Sequence, residues 1–169
     1  MSETIIRQGK VADLAVITAI YNHYVTTTHV TFDLSPFDPE QRRAWIEQFE
    51  DHGRLRLFVA QIGDGVVGYA CSTPLKPRPA YDVSVETSVY LDPSVGGRGW
   101  GSRLMQALLD ALTNAGVHGA YAGIALPNEA SEVLHRKLGY RHVGVLKEVG
   151  RKFDRYWDVA WYEKRLGVR

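Results

Sequence analysis

Glu86 lies in the alternating run Val83-Ser84-Val85-Glu86-Thr87-Ser88-Val89-Tyr90-Leu91. This pattern reads as a strand with Val83, Val85, Thr87, Val89 and Leu91 on one face and Ser84, Glu86, Ser88 and Tyr90 on the other. Glutamate is depleted in strands and costly to bury, and residues that break a local rule are where function is expected. Either this face is solvated, or Glu86 is a general base at the mouth of a cleft with its pKa raised by partial burial. Just downstream comes Val95-Gly96-Gly97-Arg98-Gly99-Trp100-Gly101-Ser102. A strand, a Gly-rich turn and a helix N-terminus in that order gather backbone N–H groups at the positive end of a helix dipole. That arrangement suits a phosphate or pyrophosphate; read blandly, it is only a tight connection. Gly101-Ser102-Arg103 lacks the lysine of a nucleoside-triphosphate loop, and Gly119-Ala120-Tyr121-Ala122 lacks the acid of a dinucleotide fingerprint.

Other residues are ambiguous between structure and chemistry. The loop Pro74-Leu75-Lys76-Pro77-Arg78-Pro79 carries two cations just before the Glu86 strand. They are solvated charge, or they recognise a substrate carboxylate or phosphinate, for which the arginine fork is suited. Phe32 is the bulkiest apolar residue of the mostly polar stretch 26–36, and it either anchors the core or walls a pocket. Cys71, the one cysteine, sits in a strand-like run and reads as a small core residue. The six histidines show no metal-ligand spacing, so no metal is expected.

The elements that must position these residues follow from periodicity. Ile5-Ile6-Arg7 is a short strand, and Leu14, Ile17, Tyr21 and Tyr24 place a helix over 11–25 with Asp13 in its first turn. Asp38, Pro39 and Gln41 form a capped helix start, after which Trp45, Ile46 and Phe49 face the core. Strands over 55–62 and 66–73 join through Gly63-Asp64-Gly65. After the Gly-rich turn, Leu104, Leu108, Ala111, Leu112 and Ala115 mark a helix that stops at Gly116. A strand over 117–125, a helix capped by Asn128 or Ser131 and stopped by Gly139, and closing strands over 140–149 and 155–166 complete a mixed α/β sheet with four helices.

With 169 residues, 45% of them apolar, the chain can bury one core, so a single domain is expected. Twenty basic against 19 acidic residues leave a formal charge of +1, which is not the footprint of a nucleic-acid binder. The start Met-Ser-Glu-Thr-Ile-Ile-Arg lacks a signal-peptide pattern, and no apolar run approaches a membrane span. A cytoplasmic protein is expected, with no membrane partner.

The order of elements and the Gly-rich loop resemble the GNAT superfamily of acetyl-CoA-dependent N-acetyltransferases. Further stretches resemble its phosphinothricin and methionine sulfoximine N-acetyltransferase branch: Ile20-Tyr21-Asn22, Thr31-Phe32-Asp33, Val85 to Tyr90, Asn128 to Ser131 with Leu134-His135, Leu138-Gly139-Tyr140, and Lys152-Phe153 with Trp157-Asp158-Val159. The resemblance covers about residues 5–166. It implies one N-acetyltransferase domain over 1–169, with a mostly antiparallel sheet of about seven strands. Gly99 and Gly101 fill the two small positions of the family's pyrophosphate loop, and Gly96 stands where Gln or Arg is usual. The resemblance therefore assigns cofactor contacts to the N–H groups of Gly97, Arg98, Gly99, Trp100, Gly101 and Ser102, to the strand Val89, Tyr90 and Leu91, and to the Asn128 side chain.

On the acceptor side, the resemblance places Glu86, Thr87 and Ser88 and the loop of Lys76, Pro77 and Arg78 around the amine, with Glu86 as base, and Phe32 is the candidate wall of the same pocket. His135 occupies the position of a tyrosine thought to protonate the leaving thiolate; it is that acid, or a satisfied surface residue. The implied reaction is transfer of acetyl to the α-amino group of a small amino-acid analogue such as phosphinothricin, methionine sulfoximine or methionine sulfone, with no metal. A protein or peptide N-acetyltransferase and a non-catalytic acetyl-CoA sensor are the alternatives. Relatives in this branch are dimeric, so a homodimer is expected, with Trp157, Trp161 and Tyr162 either at the contact or in the core.

Overall fold

Seven segments of alternating or continuous apolar character pair into one sheet in the computed structural model, which describes residues 4–167. The strands are β1 (Thr4–Gln8), β2 (Leu57–Ile62), β3 (Gly65–Pro74), β4 (Ser84–Leu91), β5 (Gly119–Ala125), β6 (Arg141–Lys152) and β7 (Arg155–Arg165). They lie in the order β1-β2-β3-β4-β5-β7-β6. Every neighbouring pair is antiparallel except β4 and β5, which run parallel. The helices are α1 (Leu14–Thr27), α2 (Arg43–Glu47), α3 (Trp100–Asn114) and α4 (Glu129–Lys137). The mixed, mostly antiparallel α/β architecture is the one expected. Among the described residues, no helix is long and apolar enough to cross a membrane.

Strand alternation divides the apolar side chains between two cores, one on each face of the sheet. On one face Ala60, Ala70 and Val85 pack with Leu104, Met105, Leu108, Leu109 and Leu112 of α3. On the other, Leu57, Val59, Tyr69 and Cys71 pack with Leu14, Ile17 and Ile20 of α1 and Ile46 of α2. Burying each such leucine contributes about 1.5–3 kcal/mol. The buried stripe of α3 differs from the expected one: Ala111 is half-buried and Ala115 exposed, while Met105 and Leu109 turn inward.

Local chemistry sets most boundaries. Asp38 Oδ1 accepts the Glu40 N–H at 2.9 Å, and Gln41 Oε1 accepts the Asp38 N–H at 2.8 Å. This is the predicted capping box, worth about 1 kcal/mol, although it opens a 3-10 turn (Pro39–Arg42) before α2. The predicted helix over 11–25 likewise begins with a 3-10 turn at Val11–Asp13. Asp13 is held by more than the dipole: Arg7 donates to both its oxygens at 2.8 Å, as does the Lys10 N–H to Oδ2. Burial pushes the Asp13 carboxyl up, but these donors bring it below the ordinary carboxylate range.

The closing hairpin departs most from expectation. β6 continues to Lys152 rather than ending at Val149, because the register jumps from Leu146 opposite Val159 to Gly150 opposite Trp157. Asp158 holds this irregularity in place, accepting the Glu148 N–H and the Lys147 ammonium at 2.8 Å each. Trp157 and Tyr162 are core residues, and Trp161 is half-buried.

Candidate active site

β4 and β5 are paired only at Ser84, Val85 and Glu86, opposite Gly119, Ala120 and Tyr121. Beyond Glu86 the parallel strands part. The buried Thr87 hydroxyl holds the fork: it donates to Tyr121 O at 3.1 Å and is hydrogen-bonded to the Tyr140 hydroxyl at 2.8 Å. Strand backbone alternates its N–H and C=O groups between neighbours. Past the fork, the groups of β4 that would meet β5 therefore face a cleft. Tyr24 satisfies Leu91 O, donating its hydroxyl at 2.6 Å.

Two cavities meet in this cleft. The first, about 350 Å³, lies toward α3 and α4 and is walled by Val89, Leu91, Gly101, Asn128, Leu134 and His135. The second, about 340 Å³, contains Phe32, Glu86, Leu146, Val149, Val159 and Trp161. Both share Ser88, Tyr90, Gly123 and Ala125, so they open into the same gap. Glu86 is half-buried there, and burial raises its carboxyl above the ordinary carboxylate range, with the Lys76 ammonium pulling the other way. Phe32 walls the second cavity with its ring against Gly150, where an added Cβ would lie 2.3 Å from a ring carbon. Only glycine at 150 leaves room for that ring.

The Gly-rich turn stands at the α3 end of the first cavity. Gly97 and Gly99 both have φ +77, and a Cβ at either would meet nothing within 4 Å. Glycine is required there by backbone conformation, while the space outside it is open. Gly99 is the N-cap of α3, no side chain caps the helix, and no acid lies in its first turn. The first α-helical bond runs from the Arg103 N–H to Gly99 O at 3.1 Å, which leaves the N–H groups of Trp100, Gly101 and Ser102 without helical partners. Trp100 buries its indole in the core, so what it offers a ligand is backbone; Arg98 is exposed.

At α4, Asn128 Oδ1 accepts the Ser131 N–H at 3.2 Å, the predicted cap. His135 is buried, with Nδ1 2.8 Å from Ser131 O. A carbonyl only accepts, so Nδ1 carries the proton and Nε2, buried with no partner, carries a lone pair. Burial lowers the His135 pKa, which favours the neutral ring at neutral pH. Tyr90 directs its ring to the Glu86 face, edge-on to Tyr21 at 5.1 Å and stacked on Tyr69 at 5.5 Å.

The fold thus gathers Phe32, Glu86, Ser88, Val89, Tyr90, Leu91, Gly101, Asn128 and His135 around one cleft. Lys76, Pro77 and Arg78 are exposed on the loop after β3 and wall neither cavity, though the Lys76 charge reaches Glu86. Tyr24, Gly123, Leu134 and Trp161 join the site, although the sequence pointed to no site role for them. Arg42 lines an adjoining cavity that shares Ser88 and Tyr90; in the sequence it stands three residues before Trp45 and seven before Phe49, on one helical face.

The description "Acetyltransferase (GNAT) family" matches residues 17–140. A phosphinothricin N-acetyltransferase of Streptomyces coelicolor is 53% identical over 98% of both chains. An L-methionine sulfoximine/L-methionine sulfone acetyltransferase of Pseudomonas aeruginosa is 35% identical over 95% of this chain and 94% of its own. Among solved structures, an acetyltransferase from Salmonella typhimurium with its cofactor acetyl-CoA superposes with a TM-score of 0.93 at 32% identity, covering 99% of this chain and 96% of that one. A strand pair splayed at a carboxylate, an uncapped Gly-rich helix start beside it, and similarity along nearly the whole chain lead to one conclusion: the protein belongs to the acetyltransferase (GNAT) family, in its phosphinothricin and methionine sulfoximine N-acetyltransferase branch.

Proposed function

We propose that this enzyme acetylates the α-amino group of a small amino-acid analogue bearing a phosphinate, sulfoximine or sulfone group, by direct attack of the amine on the thioester of acetyl-CoA. The observation that carries this reading is Glu86: a half-buried carboxylate with a raised pKa, placed where the β4–β5 ladder ends between two cavities. The first cavity fits acetyl-CoA, because the open space over Gly97 and Gly99 and the unpaired N–H groups of α3 make an anion cradle. The N–H groups from Gly97 to Ser102 would hold the pyrophosphate, and the backbone of Val89, Tyr90 and Leu91 with the Asn128 side chain would hold the pantetheine arm. Bound there, acetyl-CoA supplies an acetyl group activated as a thioester.

The amine is mostly protonated at neutral pH, and Glu86 accepts that proton, directly or through a water. A carboxyl raised toward neutrality is better matched to this transfer than an ordinary one. A backbone N–H near Val89 stabilises the oxygen on which negative charge develops. In this reading His135 is the acid: Nε2 takes up a proton from solvent by way of the first cavity, passes it to the leaving sulfur, and the ring returns to the neutral form that burial favours. Phe32, Thr87 and Ser88 shape the acceptor side. Exposed Val143, Leu146, Val149, Phe153 and Tyr156 on the β6–β7 hairpin support a homodimer, in which Lys76, Pro77 and Arg78 close the acceptor site.

A CoA-release assay tests this with acetyl-CoA and phosphinothricin, methionine sulfoximine, methionine sulfone, the proteinogenic amino acids and short peptides. Release with the first three is the expected result. Release with peptides alone moves the reading to a protein acetyltransferase, and acetyl-CoA binding without release from any amine makes the chain a sensor. The pH profile gives a second check. Lys76 opposes the rise of the Glu86 pKa, so Lys76→Met should move the acid limb of kcat/KM to higher pH, and less so at high salt. An unmoved limb assigns that ionisation to another group.

A further inference from the structure

A third cavity, about 340 Å³, opens on the same sheet face as Glu86 and shares Ser88 and Tyr90 with the Glu86 cavity. Arg42 lies in its wall and is only 7% exposed. The guanidinium lies 3.9 Å from the Trp45 ring centre and 4.6 Å from that of Tyr21, and its Nη1 is buried with no hydrogen-bond partner. Among the described residues, no carboxylate lies within ion-pair distance of it. The acid that lines the same cavity, Asp33, accepts the Tyr21 hydroxyl. Buried charges are ordinarily paired, so an arginine held by aromatic faces with a donor left over is a group awaiting an anion. The planar fork suits the two oxygens of a carboxylate or phosphinate.

Spacing decides which anion. Ser88 and its partner Cys71 come one strand period, about 7 Å, after Glu86 and Thr73. Arg42 approaches beyond them, at Tyr69 and Trp45, in a cavity that Cys71 and Ser88 line and Glu86 does not. An amine at Glu86 carries its α-carboxylate only two bonds away, too near to span that gap. An oxyanion at the end of the side chain reaches it. We infer that Arg42 binds the distal oxyanion of the acceptor and is the residue that selects for that end of the side chain. This inference rests on the N-acetyltransferase reading above and adds to it the residue that recognises the far end of the acceptor.

Steady-state kinetics of Arg42→Met test it with phosphinothricin, its α-carboxamide, and norleucine, which has a similar chain without the phosphinate. Loss of one charge-assisted contact should raise KM about 10- to 100-fold for phosphinothricin and its carboxamide. The KM for norleucine and that for acetyl-CoA should stay unchanged. A rise for phosphinothricin and norleucine but not the carboxamide would put Arg42 on the α-carboxylate, and an equal effect on all three, or none, would make it structural; each overturns the inference. Calorimetric titration of phosphinothricin into the CoA-loaded wild type and the milder Arg42→Lys needs neither turnover nor the methionine variant. Binding to the wild type that weakens at least about tenfold in Arg42→Lys supports the site even if no amine is acetylated. Equal affinity in both, or no binding to the wild type, overturns it.

Discussion

Glu86→Gln is expected to lower kcat by about 10²- to 10⁴-fold, the range over which a positioned general base acts, while leaving acetyl-CoA affinity nearly intact. Glutamine preserves the shape of a side chain that lines the second cavity with Phe32 and Trp161, so the loss isolates proton acceptance from packing. The substitution also has a stability consequence of definite sign. Burial raises the folded pKa of Glu86 above its unfolded value. The group therefore contributes stability below the unfolded pKa that is lost as pH rises through the folded pKa. A neutral amide escapes that loss, so the variant should melt higher than the wild type at pH 7 and show no such difference in acid. Stopped-flow or steady-state turnover across pH, with melting curves alongside, gives both readouts. Turnover equal to wild type over the whole pH range would remove Glu86 from the chemistry.

Gly99→Val should cost both stability and cofactor affinity, for separable reasons. Residue 99 sits at φ +77, a conformation that costs a β-branched residue about 1–3 kcal/mol. A Cβ there meets no protein atom within 4 Å, so internal clash is not the cause. The added methyls instead project into the open space at the start of α3, where the pyrophosphate is proposed to bind. Acetyl-CoA affinity should fall at least about tenfold, the worth of one lost charge-assisted contact. Calorimetry with CoA and with pantetheine separates the effects: CoA affinity should fall by that factor and pantetheine binding should change little. A lower Tm with wild-type CoA affinity would reduce the turn to a tight connection.

The two variants probe features of different legibility. The strand through Glu86, the capping box at Asp38 and the glycine stops at 116 and 139 are written in neighbouring residues, because period, cap and positive φ are local properties. The mixed sheet and its order of elements were readable for the same reason, and motif resemblance extended that reading to the family. The β6 irregularity was not readable, since it exists only through Asp158 on the partner strand. Nor was the inward turn of Met105 and Leu109, chosen by what α3 packs against.

By itself, then, the sequence determined which elements form, which glycines turn the chain and which carboxylate breaks a strand pattern. Only the tertiary structure decided that β4 and β5 part immediately after Glu86, that the Thr87 hydroxyl holds the fork, that the His135 proton sits on Nδ1, and that Arg42 is buried without a carboxylate partner. The reason is physical. Secondary structure follows from torsional preference and spacing within a few residues, whereas a pKa, an unpaired donor or a cavity depends on which distant groups exclude water from the same place.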